Sequence, residues 1–215
     1  MAKIGLKYPV AAEITAEPVG SAPTYDTGFV IGKAVSANKN ITSNDNPLYG
    51  DDAIAENDTS FQQGTLELNV TDFGTDSTTS LSIQAQMLGH TVVTTGTGSD
   101  AVTSMVKKAG DNAPNLGVGY YKTKLLNNVK MYETTWLYKV KFQLPSEQAN
   151  TKGQNIEWQT SSITGRIMAL SNDEDTYEET AIFDTEAKAI AWLNAKANIG
   201  TTEQTTPPAE TTPTD

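Results

Sequence analysis

The sequence predicts a mainly β protein, a β-sandwich with two flanking α-helices. Three observations predict it. Gly, Thr, Ser and Asn are abundant, which favours strands and turns over long helices. Residues 64–72 and 163–170 alternate apolar and polar with a period of two, as half-buried strands do. Residues 184–198 carry clear helix start and stop signals. The 215 residues accommodate one domain over 1–200, followed by a Thr/Pro-rich tail over 201–215.

Taken in order, the first 25 residues are broken by Pro9, Pro18, Gly20 and Pro23 and read as short pieces. Residues 25–37 read as a strand through Phe29-Val30-Ile31 and Ala34-Val35. Residues 38–60 are polar and acidic, with turn chemistry at Asn46-Pro47 and Tyr49-Gly50-Asp51-Asp52. That stretch is too long for a simple hairpin connection and suits a functional or assembly loop. In 64–72, Leu66, Leu68 and Val70 face one way, and Thr65, Glu67 and Asn69 the other. Residues 77–88 read as a helix, with capping candidates at 77–80 and a stop at Gly89. Residues 91–98 are Thr- and Gly-rich and loop-like.

Residues 116–126 read as a strand in which Gly117 and Gly119 allow a bulge or close packing. Asn127-Asn128 makes a hairpin turn into the longest strand, 129–144. There Trp136, Tyr138, Val140 and Phe142 share a face, opposite Leu137, Lys139 and Lys141. Residues 155–160 and 163–170 are two more strands. The helix over 184–198 is capped by Asp184 or Thr185 and ended by Gly200. Its apolar side is Phe183, Ile190, Leu193 and Ala197. The tail has no apolar pattern and reads as a flexible linker.

Charge is sorted into blocks. Residues 40–106 hold no base but nine acids: Asp45, Asp51, Asp52, Glu56, Asp58, Glu67, Asp72, Asp76 and Asp100. Residues 107–166 hold nine bases against Asp111, Glu133, Glu147 and Glu157. From 167 onward the chain is acidic again, with Asp173-Glu174-Asp175 and Glu178-Glu179 read as exposed loop. A chain with one acidic and one basic region can meet a copy of itself head to tail. The plainer reading is that such blocks are solvated faces. A net charge of −11 argues against general binding to nucleic acid or anionic membranes.

No Cys is present, which excludes disulfides, zinc–thiolate sites and thiol catalysis. The N-terminus has no apolar run of signal-peptide length, so the sequence predicts a protein made and soluble in a cytoplasm, with no membrane partner. His90 is the sole His, and a Ser-His-Asp triad would have to use it; a packing role is the plainer reading. No phosphate-binding or dinucleotide fingerprint occurs. Asp51, Asp52, Glu56 and Asp58 are the best metal candidates, but their spacing does not match an EF-hand. The expectation is no enzyme, no cofactor and no metal.

Several segments together resemble a known family. They are Leu48-Tyr49-Gly50-Asp51-Asp52-Ala53-Ile54-Ala55-Glu56 with Asp58-Thr59-Ser60-Phe61, Leu88-Gly89-His90-Thr91, and Gly117-Val118-Gly119-Tyr120. Lys139-Val140-Lys141-Phe142, the run from Asn150 to Thr160, and Gly165-Arg166-Ile167-Met168-Ala169 complete the set. In order and spacing these resemble the major tail proteins of long-tailed, non-contractile phages of low-GC Gram-positive bacteria. The resemblance spans roughly residues 1–170. It implies a structural subunit of a virion tail, made in the host cytoplasm, whose stacked hexameric rings form a tube for genome delivery. It also implies a tail-tube fold whose inner β-barrel is completed across subunits. The implied partners are further copies of the chain, a tape-measure protein, tail-end and terminator proteins, and genomic DNA passing without specific binding.

On this reading Asp45, Leu48, Tyr49, Asp51, Asp52, Glu56 and Asp58 form an assembly loop that contacts a neighbouring subunit. Glu67 and Asn69 are the candidates for a lumen-facing wall, expected to be net negative, with Lys139 and Lys141 at subunit contacts or outside. The alternative is a carbohydrate-binding or adhesive β-sandwich module on a virion or cell surface. That alternative needs an exposed aromatic platform.

Overall fold

The computed structural model describes residues 2–74, 80–145, 160–171 and 175–200. The capping candidates at 77–79, the strand expected at 155–159 with Trp158, Asp173 and Glu174, and the tail 201–215 lie outside the described residues. The fold is mainly β and antiparallel, with two helices.

One nine-stranded sheet carries the chain. Its main path runs β2 (Thr24–Tyr25), β1 (Ala2–Ala16), β10 (Asn115–Leu126), β11 (Val129–Phe142), β12 (Ser161–Met168), β7 (Phe61–Phe73) and β4 (Gly32–Ser43). Off this path, β3 (Phe29–Val30) pairs with β1, and β13 (Glu178–Phe183) pairs with the first half of β11. Two further hairpins stand apart, β5 (Asn46–Gly50) with β6 (Ala53–Asp58), and β8 (Thr91–Thr95) with β9 (Val102–Val106).

The sheet curls until its ends meet. β3 lies on β1, and the very next residues, Ile31 and Gly32, enter β4 and pair with β7. Ile31 is the stitch. Its N–H donates to Pro9 C=O at 2.8 Å, and its C=O accepts from Gly74 N–H at 2.7 Å. The two layers thus enclose one core. Leu66, Leu68, Val70, Leu116, Val118, Leu137, Val140, Phe142, Ile163 and Ile167 fill it from the strands. Helix α1 (Ser80–Leu88) adds Ile83, Met87 and Leu88. Gly89, at φ +72°, ends α1 as its sequence predicts.

A second core lies on the outer face of β1, β10 and β11. Helix α2 (Glu186–Lys196) covers it with Ala189 and Leu193, and Ala197 follows at its end. Thr185 is the N-cap, its side chain accepting from Lys188 N–H. The helix ends at Lys196 with Ala197 as its C-cap, and the stop is Asn198, at φ +50°, rather than the expected Gly200, because Asn also tolerates the left-handed region. Gly117 and Gly119 serve close packing as well as a bulge. A Cβ on Gly119 would stand 2.6 Å from Trp136 Cε3 and 2.7 Å from Leu193 Cδ2, so only Gly lets ring and helix approach.

Several expectations need correction. The first residues are not short pieces: β1 runs 15 residues. Its Pro9 sits at a register shift between Lys7 and Val10, where no ladder N–H is needed. The face assignment in 129–144 fails at a bulge. Leu116 pairs with Val140 but Val118 with Leu137, so β11 carries one extra residue. Leu137, Val140 and Phe142 therefore face the inner core, and Trp136 packs under α2. Glu178 and Glu179 are not loop but the start of β13, where Glu178 meets Lys39 at 2.5 Å and Glu179 meets Lys196 at 2.5 Å. A strand of mixed polarity carries no period-two signal, and these acids read as loop for that reason.

The seam generates a stability expectation. Ile31→Ala should cost about 2–5 kcal/mol, since the side chain is fully buried. Gly32 sits at φ +156° with the Asp72 carbonyl against its missing Cβ. Gly32→Ala should cost more than about 1 kcal/mol. Urea denaturation midpoints measure both. Losses under about 0.5 kcal/mol in both variants would show that closure is not set here.

Candidate assembly surface

β4 and β7 leave the seam as an antiparallel ribbon, and β5 and β6 extend it into solvent. Residues 38–60 are therefore not a loop. They are the end of β4 and a hairpin, because Gly50-Asp51-Asp52-Ala53 closes a two-residue turn. Asp51 and Asp52 have φ of +50° and +62°, the type I′ combination that matches strand twist. The Asn127-Asn128 turn is built the same way, at +48° and +64°. The sequence hid the hairpin because both of its faces are wet, so its strands show no apolar alternation.

All seven residues of the expected assembly loop stand on or beside this hairpin and are exposed. Leu48, Tyr49 and Ile54 are 61, 66 and 60% exposed. Tyr49 lies directly opposite Ile54, with Pro47 two pairs further along the ribbon. Asp51 and Asp52 hold the tip, and Glu56 faces Leu48. At the base, Asp45 accepts from Asn57 Nδ2 at 3.0 Å. Asp58 accepts from Ser60 N–H at 2.9 Å and lies near Asn44, whose backbone N–H donates to Ser60 C=O. The Ser60 N–H, then its hydroxyl, hold the Asp58 carboxyl below the usual range. Burying three such apolar side chains would yield about 1–2 kcal/mol each. A two-stranded hairpin gains nothing from leaving them in water.

The hairpin β8–β9 was missed by sequence reasoning, which read 91–98 as loop. The missed signal is Thr-Val-Val-Thr-Thr before Gly96 and Gly98, then Val-Thr-Ser-Met-Val. Gly96 and Gly98 have φ of +92° and +66°, and a short 3-10 turn at Gly98–Asp100 connects the strands. Val92 and Met105 pair on the half-buried side, while Val93, Val102 and Val106 are 41, 64 and 40% exposed. His90 and Asp111 clasp the foot of this hairpin. A carboxylate only accepts, so His90 Nδ1–H donates to Asp111 Oδ2, at 2.8 Å. Lys108 N–H donates to the same oxygen at 2.8 Å. The Lys108 amide, then His90, hold the Asp111 carboxyl below the usual range. His90 Nε2 is buried with no hydrogen-bond partner among the described residues.

Glu67 and Asn69 lie on the outer face of β7, away from the core. Paired residues across β4, β7 and β12 form rows there: Ser36–Asn69–Ser162, Asn38–Glu67–Thr164 and Asn40–Thr65–Arg166. Glu67 accepts from Asn38 Nδ2 at 3.3 Å, and Asn69 donates to Ser36 Oγ at 2.7 Å. α2 lies on the other layer. This polar face holds one acid and one base, Glu67 and Arg166, and is close to neutral rather than acidic; the acids are gathered on the β5–β6 hairpin instead. Lys139 is held inside the subunit by Glu17 at 2.6 Å, with its side chain 13% exposed. Lys141 lies on β11, half-buried, opposite Arg166.

Asp51, Asp52, Glu56 and Asp58 do not gather into a ligand set. Among the described residues no group of three or more His, Cys, Asp and Glu is placed to hold a metal ion. Also among them, no helix is long and apolar enough to cross a membrane.

The two clasps carry a pH expectation. Both carboxyls titrate lower in the folded chain than the usual Asp value of about 3.9. Each thus contributes stability above that value and loses it as pH falls through its own lower pKa. In a proton NMR titration, the Ser60 and Lys108 amide shifts should move with midpoints below that value. Midpoints at or above it would show that neither hydrogen bond forms.

No protein-family model matches this chain, and no curated protein matches it.

Proposed function

We propose that this chain is the tail-tube subunit of a long-tailed, non-contractile phage, a structural protein that assembles with copies of itself into stacked hexameric rings. The observation that carries the reading is the β5–β6 hairpin. It projects from a closed β domain, presents Leu48, Tyr49 and Ile54 to water, and carries acids without a single base. An edge-bearing apolar hairpin is a liability to a monomer and an asset to an assembly. The near-neutral face of Ser, Asn and Thr on β4, β7 and β12 is the lumen wall in this reading. Duplex DNA carries one charge per ~1.7 Å of axis, and a basic wall would hold it by phosphate contacts. A polar wall without excess base lets it pass. A tape-measure protein and tail-end proteins are the further partners, and the virion tail is the location.

The adhesive-module alternative calls for a platform of exposed aromatic rings. Among the described residues Tyr49 is the sole aromatic among the strongly exposed large apolar side chains. Trp136 is fully buried and Trp192 half-buried. These observations favour self-assembly.

Deletion of residues 46–57 tests the reading. The β4–β7 ribbon would then close with a shorter turn, so the domain should fold with its thermal transition nearly intact. In sedimentation velocity it should stay monomeric at concentrations where the full chain forms large species. Large species of unchanged size from the deletion variant would refute the role given to the hairpin.

A further inference from the structure

The molecule presents two free hairpins of opposite character. On β5–β6, Asp51, Asp52 and Glu56 have no ion-pair partner among the described residues, and one face carries Pro47, Tyr49 and Ile54. On β8–β9, the outward face carries Thr91, Val93, Thr95, Val102, Ser104 and Val106, an uncharged surface. Asp100 stands at its tip, and Lys107 and Lys108 follow β9 at its foot. Both lysines are exposed, and neither has an ion-pair partner among the described residues. Among the described residues each hairpin pairs only with itself, so each keeps unpaired strand edges there.

We infer that the partner of the β5–β6 hairpin is the β8–β9 hairpin of a second copy of this chain, laid tip to foot. This inference rests on the self-assembly reading and specifies its contact. In that orientation Asp51 and Asp52 reach Lys107 and Lys108, while Asp100 lies away from the acidic tip. Tyr49 and Ile54 cover the valine face. Charge complementarity decides against the symmetric choices. Two acidic hairpins brought together would oppose Asp51, Asp52 and Glu56 with their own kind, at a cost that like charges in an interface impose. Two β8–β9 hairpins brought together would leave Leu48, Tyr49 and Ile54 in water and would crowd four lysines. The contact joins unlike patches, so it is heterologous. It leaves each copy with one free hairpin of each kind and propagates, as a ring or stack requires and a closed dimer does not.

The chain has no Cys, so introduced thiols report the contact without background. Tyr49→Cys, beside the β5–β6 tip, and Val106→Cys, at the β8–β9 foot, both fall on exposed positions and leave the cores intact. Under mild oxidation of assembled protein, the equimolar mixture should give a disulfide-linked dimer on a non-reducing gel, and each variant alone should not. A strong dimer from Tyr49→Cys alone, or none from the mixture while large assemblies form, would overturn the pairing and leave the self-assembly reading standing. A chain that never assembles would overturn both. A change of charge adds an independent reading. D51N/D52N keeps side chains that tolerate the left-handed turn. It and K107E/K108E should each raise the concentration needed for assembly, the latter by at least about tenfold. The two pairs combined in one chain should recover part of the loss that K107E/K108E causes, because the repulsion is gone. No recovery in the combined variant would overturn the pairing.

Discussion

The fold depends on one closure. Between β3 and β4 the chain passes from the β1 edge to the β7 edge within two residues, and Ile31 hydrogen-bonds both sides. A curled sheet that failed to meet here would present two long unpaired edges, and its inner core would open to water. The seam admits little variation. A Cβ on Gly28 would stand 2.9 Å from the Ala11 carbonyl oxygen, and Gly32 takes a backbone conformation that a larger residue resists. Closure also fixes direction. Once β4 and β7 are locked at one end, their ribbon has one way to leave the domain, and the β5–β6 hairpin is carried out on it.

The rest follows in layers. The inner core is made by both layers and α1; the outer core is made by α2 over β1, β10 and β11. Where α2 is absent, the outer face of β4, β7 and β12 is built of Ser, Asn and Thr, and needs no cover. The forked β11 joins β12 along one half and β13 along the other. Across that fork Lys39 meets Glu178, and Phe61 stacks on Tyr177 at 4.1 Å. Pairs of this kind hold two bases of the basic block, Lys124 and Lys139, and three lysines outside it within the subunit. Lys39, Lys124, Lys139, Lys188 and Lys196 all have internal carboxylate partners. The exposed acids of β5–β6 and the exposed Lys107 and Lys108 after β9 are charges that stay available to a partner.

Legibility in the sequence tracked burial. Leu66, Leu68 and Val70 alternate with polar residues because one face of β7 is core and the other is wet, and the faces of that strand were readable, though β7 begins three residues earlier than the alternation, at Phe61. α2 was readable from its cap and stripe, as was the Asn127-Asn128 turn from its residue types. The hairpins at 46–58 and 91–106 were not, because strands wet on both faces have no period to show. The face of β11 was misread since a single bulge residue shifts parity, and no local signal marks it. Of the candidate site, the residues of the acidic segment were legible from charge and length, but their strand conformation was not. The β8–β9 surface was invisible until folding placed Val93, Val102 and Val106 on one side.

Electron microscopy of the concentrated, purified full chain tests the central claim most directly. The account predicts rings or hollow tubes of uniform diameter with an open channel, built from identical subunits. A chain that remains a dispersed monomer across all concentrations and salt conditions would contradict it, and would return the exposed hairpins to the adhesive reading.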